Sequence, residues 1–276
     1  MRLNKKEWRE KMDKGKEIRI KIFEDTQNLM KNDELLKKDI NFSKENTRIY
    51  EEDYEFVLNN KKDKKGNIKV VDARSFKASE NLENVVVLNF ASATNPGGGV
   101  KTGSNAQEEC LCRCSTLYPC LTQKNLFNNF YKYHRDRKDT FYTNRIIYSK
   151  DITVFKDDIR EPILLDKSKW FKVDVITCAA PNLRNIEKVN QNDLLKLFKS
   201  RIEQILKVAI ENNKTNIVLG AFGCGAFKNP PYLVARAFKE VLESYRYYFD
   251  NIIFATLVTP AQGGDENFKT FSRVLK

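Results

Sequence analysis

The chain is poor in histidine, since His134 is the only one among its 276 residues. It stands in the polar segment YKYHRDRKD, which predicts an exposed side chain, and no serine or cysteine motif lies nearby. A nucleophile activated by histidine, as in Ser-His or Cys-His enzymes, is therefore disfavoured. Any acid or base in a catalytic site of this chain is expected to be a carboxylate.

Long apolar runs are missing as well. No stretch approaches the roughly 20 residues that are needed to span a bilayer. The first residues, MRLNKKEWREKMDKGKE, carry charges where a signal peptide has an apolar segment. We therefore expect a cytoplasmic protein without a membrane partner. Hydrophobic residues make up 41% of the chain, which is enough for the core of a globular protein.

The six cysteines do not have the spacing of a metal site. Structural zinc is usually bound by repeated C-x₂₋₄-C pairs or by one pair completed with histidines. In this chain Cys110, Cys112 and Cys114 alternate at a spacing of two. We expect small buried apolar side chains and no disulfides. No motif requires a metal or an organic cofactor, so the expected activity is independent of metals.

Positive charge dominates, with 49 Lys and Arg against 37 Asp and Glu and a formal net charge of +12. Such an excess favours encounter with polyanions, whether nucleic acid, anionic lipid headgroups or another polymer that carries phosphates. A lysine-rich composition, in which the lysines are only solvated surface, explains the charge equally well. The charge alone does not decide between these explanations.

Apolar runs of strand length alternate with helical patterns from about residue 46 onwards. Strands that are apolar on both faces and separated by helices predict an α/β fold, with a mostly parallel or mixed sheet between helical layers. Residues 1–45 have a helical and strongly charged pattern, which predicts an accessory N-terminal extension. The expected strands are 68–71, 85–90, 173–179, 217–222 and 252–258, and the expected helices are 108–118, 192–212 and 231–245.

Two glycine-rich loops directly follow two of these strands. VVVLNF runs into ASATNPGGG, and IVLGAF runs into GCGAFKNPP. Ligands of open α/β sheets bind beyond the carboxyl ends of strands, so both loops are expected to line one crevice. The backbone N–H groups of the second loop suit a diphosphate. Neither loop ends in G-K-[ST] or fits GxGxxG, which argues against an ordinary P-loop ATPase and a Rossmann dehydrogenase.

A pair of adjacent carboxylates follows the first glycine loop. Glu108 and Glu109 come directly after Gln107, and the next residues have a helix-like apolar pattern. A helix that begins near Gln107 places both carboxylates in its first turn, where the macrodipole stabilises negative charge. Successive residues of a helix differ by about 100°, so the pair can address different parts of one ligand. The alternative explanation is that acidic residues are simply favoured at helix starts.

The run VLNFASATNPGGGVKTGSNAQEECLCRCSTLYPCL resembles the signature of the bacterial-type poly(ADP-ribose) glycohydrolases, whose macrodomain carries a triple glycine, a short spacer and Gln-Glu-Glu. Three further segments resemble that family, namely VDVITCAAPN, LGAFGCGAFKNPP and the closing FATLV. The resemblance covers roughly residues 46–276. It implies a macrodomain-like three-layer α/β/α catalytic domain with a mixed central sheet over that range, preceded by the accessory region 1–45.

The resemblance implies an enzyme that hydrolyses the ribose–ribose O-glycosidic bonds of poly(ADP-ribose), or acts on another ADP-ribosylated macromolecule, and releases ADP-ribose without a cofactor. Glu109 would be the general acid and base, and Glu108 would hold ribose hydroxyls. Ala226 stands where the family often has valine, which could loosen the pocket without removing backbone donors. The implied ligand-binding residues are Asn95, Gly97, Gly98 and Gly99 at the distal ribose, Gly223, Cys224, Gly225 and Ala226 at the diphosphate, Phe227 against the ribose, and also Val100 and Gln107.

Three other functions are compatible with parts of this pattern. A macrodomain that binds ADP-ribose without hydrolysing it has no need of a carboxylate pair. A hydrolase of single ADP-ribosyl groups on protein or nucleic acid would differ at the pocket edges, which the sequence does not resolve. A nucleic-acid-binding protein is suggested by charge and by the aromatic residues of FNNFYKYHRDRK, which could stack on bases. The oligomeric state is left open.

Overall fold

Within the residues that the structure describes, a seven-stranded mixed sheet separates two layers of helices. The strands are β1 (Thr47–Tyr50), β2 (Asn67–Val71), β3 (Val85–Phe90), β4 (Ile146–Val154), β5 (Phe171–Cys178), β6 (Asn216–Leu219) and β7 (Asn251–Ala255). Their order in the sheet is β1-β4-β5-β3-β6-β7-β2. The five strands from β5 to β2 are mutually parallel, whereas β4 is antiparallel to both of its neighbours.

The structure is a computed structural model that describes residues 5–259 and 264–276, with side chains for 13–259 and 265–276. Residues 1–4 of the predicted N-terminal region lie outside this range. The helices are α1 (Lys5–Asn32), α2 (Glu34–Glu45), α3 (Ser75–Ser79), α4 (Gln107–Cys114), α5 (Leu117–Leu121), α6 (Lys124–Leu126), α7 (Tyr133–Arg137), α8 (Gln191–Glu211), α9 (Pro231–Tyr245) and α10 (Gly264–Val274). A π-helical segment spans Phe127–Lys132, and 3₁₀ turns span Val100–Thr102, Lys167–Lys169 and Arg246–Tyr248.

Strand β3 shows why the sheet is covered on both sides. Val86 and Leu88 pack in the cluster that contains side chains of α8, α9 and α10, whereas Val85 and Val87 pack in the cluster that contains α4 and α5. Successive residues of a strand point to opposite faces, so a strand that is apolar throughout needs helices on both. The predicted α/β class with three layers is confirmed.

Local sequence signals set the starts of several helices. Asp33 caps α2, since its side chain accepts hydrogen bonds from the backbone N–H groups of Leu35 and Leu36. Asn190 caps α8 in the same way. Pro231 occupies the first position of α9, where its missing N–H has no helical partner to lose. These signals explain why the predicted helices 192–212 and 231–245 agree with α8 and α9 within one residue.

The helix predicted for 108–118 is in fact two helices, α4 and α5. Ser115 breaks them apart because its backbone is extended and forms a bridge with Val154 of β4. The prediction did not include β4 itself, whose apolar run is interrupted by Ser149, Lys150 and Asp151. The pairing of β4 with β5 shifts at this point, and the φ angle of Asp151 is +53°. A bulge of this kind hides the alternating pattern of a strand.

The N-terminal helices pack on the rest of the protein through buried contacts. Phe23 of α1 is buried and meets the ring of Tyr118 edge-on, with centroids 5.0 Å apart. The hydroxyl of Thr26 donates to the carbonyl oxygen of Arg113 over 2.7 Å. The predicted helical character of this region is confirmed for residues 5–32 and 34–45. A domain boundary at residue 45 stays a prediction.

The exposed position predicted for His134 is wrong. The side chain is only 2% exposed, and its ring nitrogens contact the carbonyl oxygen of Phe130 and the hydroxyl of Thr143, each over 2.8 Å. Burial lowers the pKa of His134 to about 4, so the ring is neutral near pH 7. The polar residues around it lie on the outer face of α7, which is why the composition of the segment was misleading.

The burial of the cysteines agrees with the sequence prediction. Cys224 is half-buried, and the buried ones are Cys110, Cys112, Cys114, Cys120 and Cys178. All six are free thiols. In the part of the chain that the structure covers, His, Cys, Asp and Glu side chains form no cluster able to hold a metal ion. None of the described helices has both the length and the apolar character needed to cross a bilayer.

Candidate active site

The two glycine loops begin side by side at the carboxyl ends of the adjacent parallel strands β3 and β6. We refer to residues 91–106 as the first loop and to residues 220–230 as the second loop. A Cβ atom on Gly220 would lie 2.8 Å from the ring of Phe90, and the rings of Phe90 and Phe222 are 5.8 Å apart. The two loops therefore lie side by side where the two strands end, and a ligand crevice between them stays a prediction.

Glu109 lies in the first turn of α4 and is 6% exposed. One carboxylate oxygen accepts the N–H of Gly99, and the other accepts the N–H of Ala106, each over 2.8 Å. Both oxygens are thus bound by backbone amides of the first loop. Two such bonds fix the plane of the carboxylate, which a reacting group requires.

Glu108 is 2% exposed and is directed towards the end of β3. Its carboxylate accepts the N–H of Ser92 over 2.7 Å and the side-chain amide of Asn89 over 3.3 Å. Burial raises the pKa of Glu108 to about 8, and the nearby Glu109 adds to this rise, although the hydrogen bond from Ser92 opposes it. Glu108 is therefore protonated at neutral pH.

The triple glycine makes room for side chains of the protein itself. Gly97 and Gly98 have φ angles of +68° and +59°, which other residues adopt only with strain. A Cβ atom on Gly98 would collide with the carboxylate of Glu109 and lie 3.1 Å from that of Glu108. One on Gly97 would lie 2.7 Å from the ring of Tyr118. Both carboxylates therefore converge on Gly98.

Two of the predicted ligand-binding residues have their side chains inside the protein. Gln107 accepts the N–H of Phe90 over 2.8 Å and donates to the carbonyl oxygen of Leu88 over 2.7 Å, so it ties α4 to the end of β3. Val100 is 1% exposed and belongs to the apolar cluster beneath α4. Ligand contacts of these two residues stay predictions.

The second loop leaves open space at Gly225, whereas the triple glycine of the first loop faces side chains of the protein. Gly223 has a φ angle of +75°, and its carbonyl oxygen accepts the side-chain amide of Asn229 over 3.0 Å. Gly225 and Ala226 are exposed, and a Cβ atom on Gly225 would meet nothing within 4 Å. Their N–H groups donate to no atom of residues 5–259 and 264–276. Free amides on an exposed turn can bind an anion.

Phe227 closes the second loop and is half-buried. The guanidinium of Arg184 lies 5.6 Å from the centroid of its ring, and the ring of Tyr142 lies 6.4 Å away. The carbonyl oxygen of Phe227 accepts the N–H of Leu183 over 2.9 Å. The sequence predicted Phe227 at the site but not the two side chains that flank it.

Two further residues of the site were missed in the sequence. Arg135 donates to the side chain of Asn95 over 2.8 Å and to the carbonyl oxygen of Thr94 over 2.6 Å, so it orients the exposed Asn95. Forty residues separate Arg135 from Asn95, and no local signal joins them. Asn89 contacts Glu108 from within β3. A polar residue in the otherwise apolar VVVLNF was the available signal.

This arrangement has the components of glycoside hydrolysis. Such a reaction needs a carboxyl group to protonate the leaving oxygen and a carboxylate to activate water. The site supplies two buried carboxyl groups, those of Glu108 and Glu109, beside one glycine. The free amides of the second loop suit the charged part of a phosphorylated ligand.

Comparison with known proteins agrees with this geometry. The model of the microbial-type PARG catalytic domain matches residues 19–157. The chain is similar to the poly(ADP-ribose) glycohydrolase of Thermomonospora curvata, with 27% identity, coverage of 93% of this chain and 98% of that chain, and a TM-score of 0.80. A structure of the Thermomonospora curvata protein bound to the inhibitor ADP-HPD has a TM-score of 0.79, with 27% identity over 92% of this chain and 98% of that chain.

The poly(ADP-ribose) glycohydrolase of Deinococcus radiodurans in complex with ADP-ribose is 31% identical, with coverage of 86% of this chain and 96% of that chain and a TM-score of 0.74. A search among curated proteins gave no match. The family match begins within α1, so it includes part of the N-terminal helices as well as the glycine loop and the glutamate pair.

Proposed function

The chain belongs to the family of microbial-type poly(ADP-ribose) glycohydrolases, and from this membership we infer that it is a glycosidase that hydrolyses the ribose–ribose O-glycosidic bonds of poly(ADP-ribose). The product is ADP-ribose. The observation that carries the proposal is the convergence of two buried glutamates, Glu108 and Glu109, on Gly98 beside an open loop of free amides.

Glu109 is the general acid and base in this proposal. Cleavage passes through an oxocarbenium-like state, so the acid protonates the leaving ribose oxygen and the resulting base then activates water. The amides of Gly99 and Ala106 support this role because they fix the orientation of the carboxylate in advance.

Glu108 holds the ribose hydroxyls. Because it is protonated near pH 7, its carboxyl group can donate one hydrogen bond and accept another. A hydroxyl does the same, so the two groups are complementary. Asn95, oriented by Arg135, and Gly97 to Gly99 complete the pocket of the distal ribose.

The second loop binds the diphosphate. The N–H groups of Gly225 and Ala226 have no acceptor in the described protein, and two adjacent free amides suit phosphate oxygens. Gly223 and Cys224 form the first part of this turn, and Phe227 packs against the ribose. The side chain of Ala226 is smaller than the valine that the family often has at this position, so it narrows the loop less. The backbone N–H of residue 226 is unchanged.

The wider setting of the enzyme is also a proposal. We assign a macrodomain to residues 46–276, an accessory region to residues 1–45, and a cytoplasmic role in the reversal of ADP-ribosylation. The net charge of +12 supports a polyanionic substrate, because attraction to its phosphates speeds encounter. Encounter is then expected to slow as salt rises.

The test is incubation of wild type and Glu109→Gln with poly(ADP-ribose), with free ADP-ribose measured over time. We expect release by the wild type and a loss of about 10³-fold in the variant, the range of general acid–base catalysis. Glu187→Gln, which makes the same change at an exposed glutamate, is the control and should match wild type.

Each alternative result has a definite meaning. Turnover by Glu109→Gln at the wild-type rate contradicts the role of Glu109. If wild type cleaves only mono-ADP-ribosylated protein or nucleic acid, the polymer is not its substrate. Binding of ADP-ribose with no release from any of these substrates identifies a binding module instead of an enzyme.

A further inference from the structure

The position of Glu109 depends on the first loop. Its carboxylate accepts the N–H groups of Gly99 and Ala106, which are the first and last residues of the segment 99–106. Within this segment, the N–H groups of Thr102 and Ser104 both donate to the carbonyl oxygen of Gly99, each over 3.0 Å. A shift of the segment therefore moves both amides that orient Glu109.

Two arginines that lie outside this segment of the chain donate hydrogen bonds to it. Arg113 of α4 is 1% exposed and donates to the carbonyl oxygen of Ser104 over 2.8 Å and to the side chain of Asn105 over 3.0 Å. Arg19 of α1 donates from Nε to the carbonyl oxygen of Gly103 over 2.6 Å. Three consecutive residues of the segment are thus bound by guanidinium groups, and one of these groups comes from the N-terminal helix.

Helix α1 also lies directly on the segment through its backbone. Gly103 has a φ angle of +73°, and a Cβ atom there would lie 2.6 Å from the carbonyl oxygen of Lys16. Farther along, the helix is fixed by the buried Phe23 and by the hydrogen bond from Thr26 to the backbone of Arg113. The helix is therefore a firm support from which Arg19 reaches the loop.

We propose that Arg19 is a positioning residue for the general acid and base, an inference that rests on the proposed function of Glu109. Arg19 holds Gly103, Gly103 fixes the segment 99–106, and the segment presents the amides of Gly99 and Ala106 to the carboxylate. A displacement of about 1 Å at a reacting group can lower a rate about 100-fold. The N-terminal region thus takes part in catalysis without contact with the substrate.

The test compares variants that carry the same change in charge. Arg19→Ala and Lys21→Ala each remove one positive charge from α1, and Lys21 is exposed. We expect Arg19→Ala to lower kcat about 10- to 100-fold with KM for poly(ADP-ribose) and Kd for ADP-ribose within about threefold of wild type. Lys21→Ala should match wild type. Arg19→Lys should recover part of kcat, because an ammonium group can also donate to a carbonyl oxygen.

A second control separates positioning from stability. Asp25→Ala removes the ion pair between α1 and the buried Lys156, whose atoms lie 2.6 Å apart. This change lowers the melting temperature, and at a temperature well below it kcat should equal that of wild type. A kcat of Arg19→Ala within twofold of Lys21→Ala, or equal losses of kcat in Arg19→Ala and Asp25→Ala, would overturn the proposal.

A measurement that does not depend on turnover distinguishes a failure of this proposal from a failure of the proposed function. Hydrogen exchange of the amides of Gly99 and Ala106, followed by NMR, should be faster in Arg19→Ala than in Lys21→Ala and Asp25→Ala. Equal exchange in the three variants contradicts the positioning role. If wild type releases no ADP-ribose while exchange changes as expected, the proposed function fails and the action of Arg19 on the loop stands.

Discussion

The two glycine loops look alike in sequence and differ in what their glycines are for. In the first loop, a Cβ atom on Gly98 would collide with the carboxylate of Glu109, so the missing side chain leaves space for the protein's own glutamates. In the second loop, a Cβ atom on Gly225 would meet nothing within 4 Å, so the space is open to a ligand. A run of glycines can therefore serve the placement of catalytic groups as well as the binding of substrate.

The difference extends to the backbone amides. In the first loop, the N–H groups of Gly99 and Ala106 are used to orient Glu109. In the second, those of Gly225 and Ala226 donate to no atom of the described chain. We infer that the first loop is organised for chemistry before substrate arrives, whereas the second completes its hydrogen bonds with the diphosphate.

Among the changes that compare the two loops, the largest effect is expected from Gly98→Ala. The new methyl group displaces the carboxylate of Glu109 and strains a backbone with a φ angle of +59°. We expect kcat to fall at least about 100-fold, because the acid and base is no longer in reach of the glycosidic oxygen. The measurement is the rate of ADP-ribose release at saturating poly(ADP-ribose).

Gly225→Ala is the matched change in the second loop. Its methyl group enters open space, so folding and kcat should stay close to wild type while Kd for ADP-ribose rises by at most about tenfold. Equal losses of kcat in Gly98→Ala and Gly225→Ala would remove the distinction between the two loops.

A smaller effect is expected in the pH dependence of the free energy of unfolding, to which Glu108 contributes. Its pKa is raised from 4.5 to about 8, so between these values the folded state binds more protons than the unfolded state. Stability is therefore highest at low pH within this window and is lost as pH rises through about 8. Between pH 6.5 and 8 we expect wild type to lose unfolding free energy on the order of 2 kcal/mol from this group.

Glu108→Gln isolates that contribution. The variant keeps a side chain of the same shape but cannot ionise, so its unfolding free energy should change less between pH 6.5 and 8, as measured by urea denaturation at both values. Asp158, whose pKa is raised to about 6, and His134, whose pKa is lowered to about 4, contribute mainly below this interval. Parallel pH dependence in the two proteins would show that Glu108 is ionised in the fold.

The sequence was most informative where neighbours in the chain are neighbours in the site. The spacing from Gly97 to Glu109 placed a tight loop before a helix, and the structure places α4 at Gln107. The strand 85–90 and the helix 231–245 were also predicted correctly, since each combines a clear period with clear end signals. Local geometry of this kind is encoded within a dozen residues.

The remaining parts of the site depend on contacts between distant segments. Arg19 lies 84 residues from Gly103, and Arg135 lies 40 residues from Asn95. The burial of His134 depends on Thr143 and on the apolar side of its helix. Such contacts are set by how elements pack, which periodicity does not report. For the same reason the role of α1 at the first loop was not foreseen.

A calorimetric titration of ADP-ribose into Glu109→Gln separates the two proposed roles, in which the first loop positions the acid and base and the second loop binds the diphosphate. The variant loses one of the two backbone hydrogen bonds to the side chain, because an amide nitrogen cannot accept an N–H. The second loop is untouched, so we predict a Kd within about threefold of wild type despite the loss of turnover. A loss of affinity as large as the loss of turnover would contradict the account, because Glu109 would then bind substrate instead of acting on it.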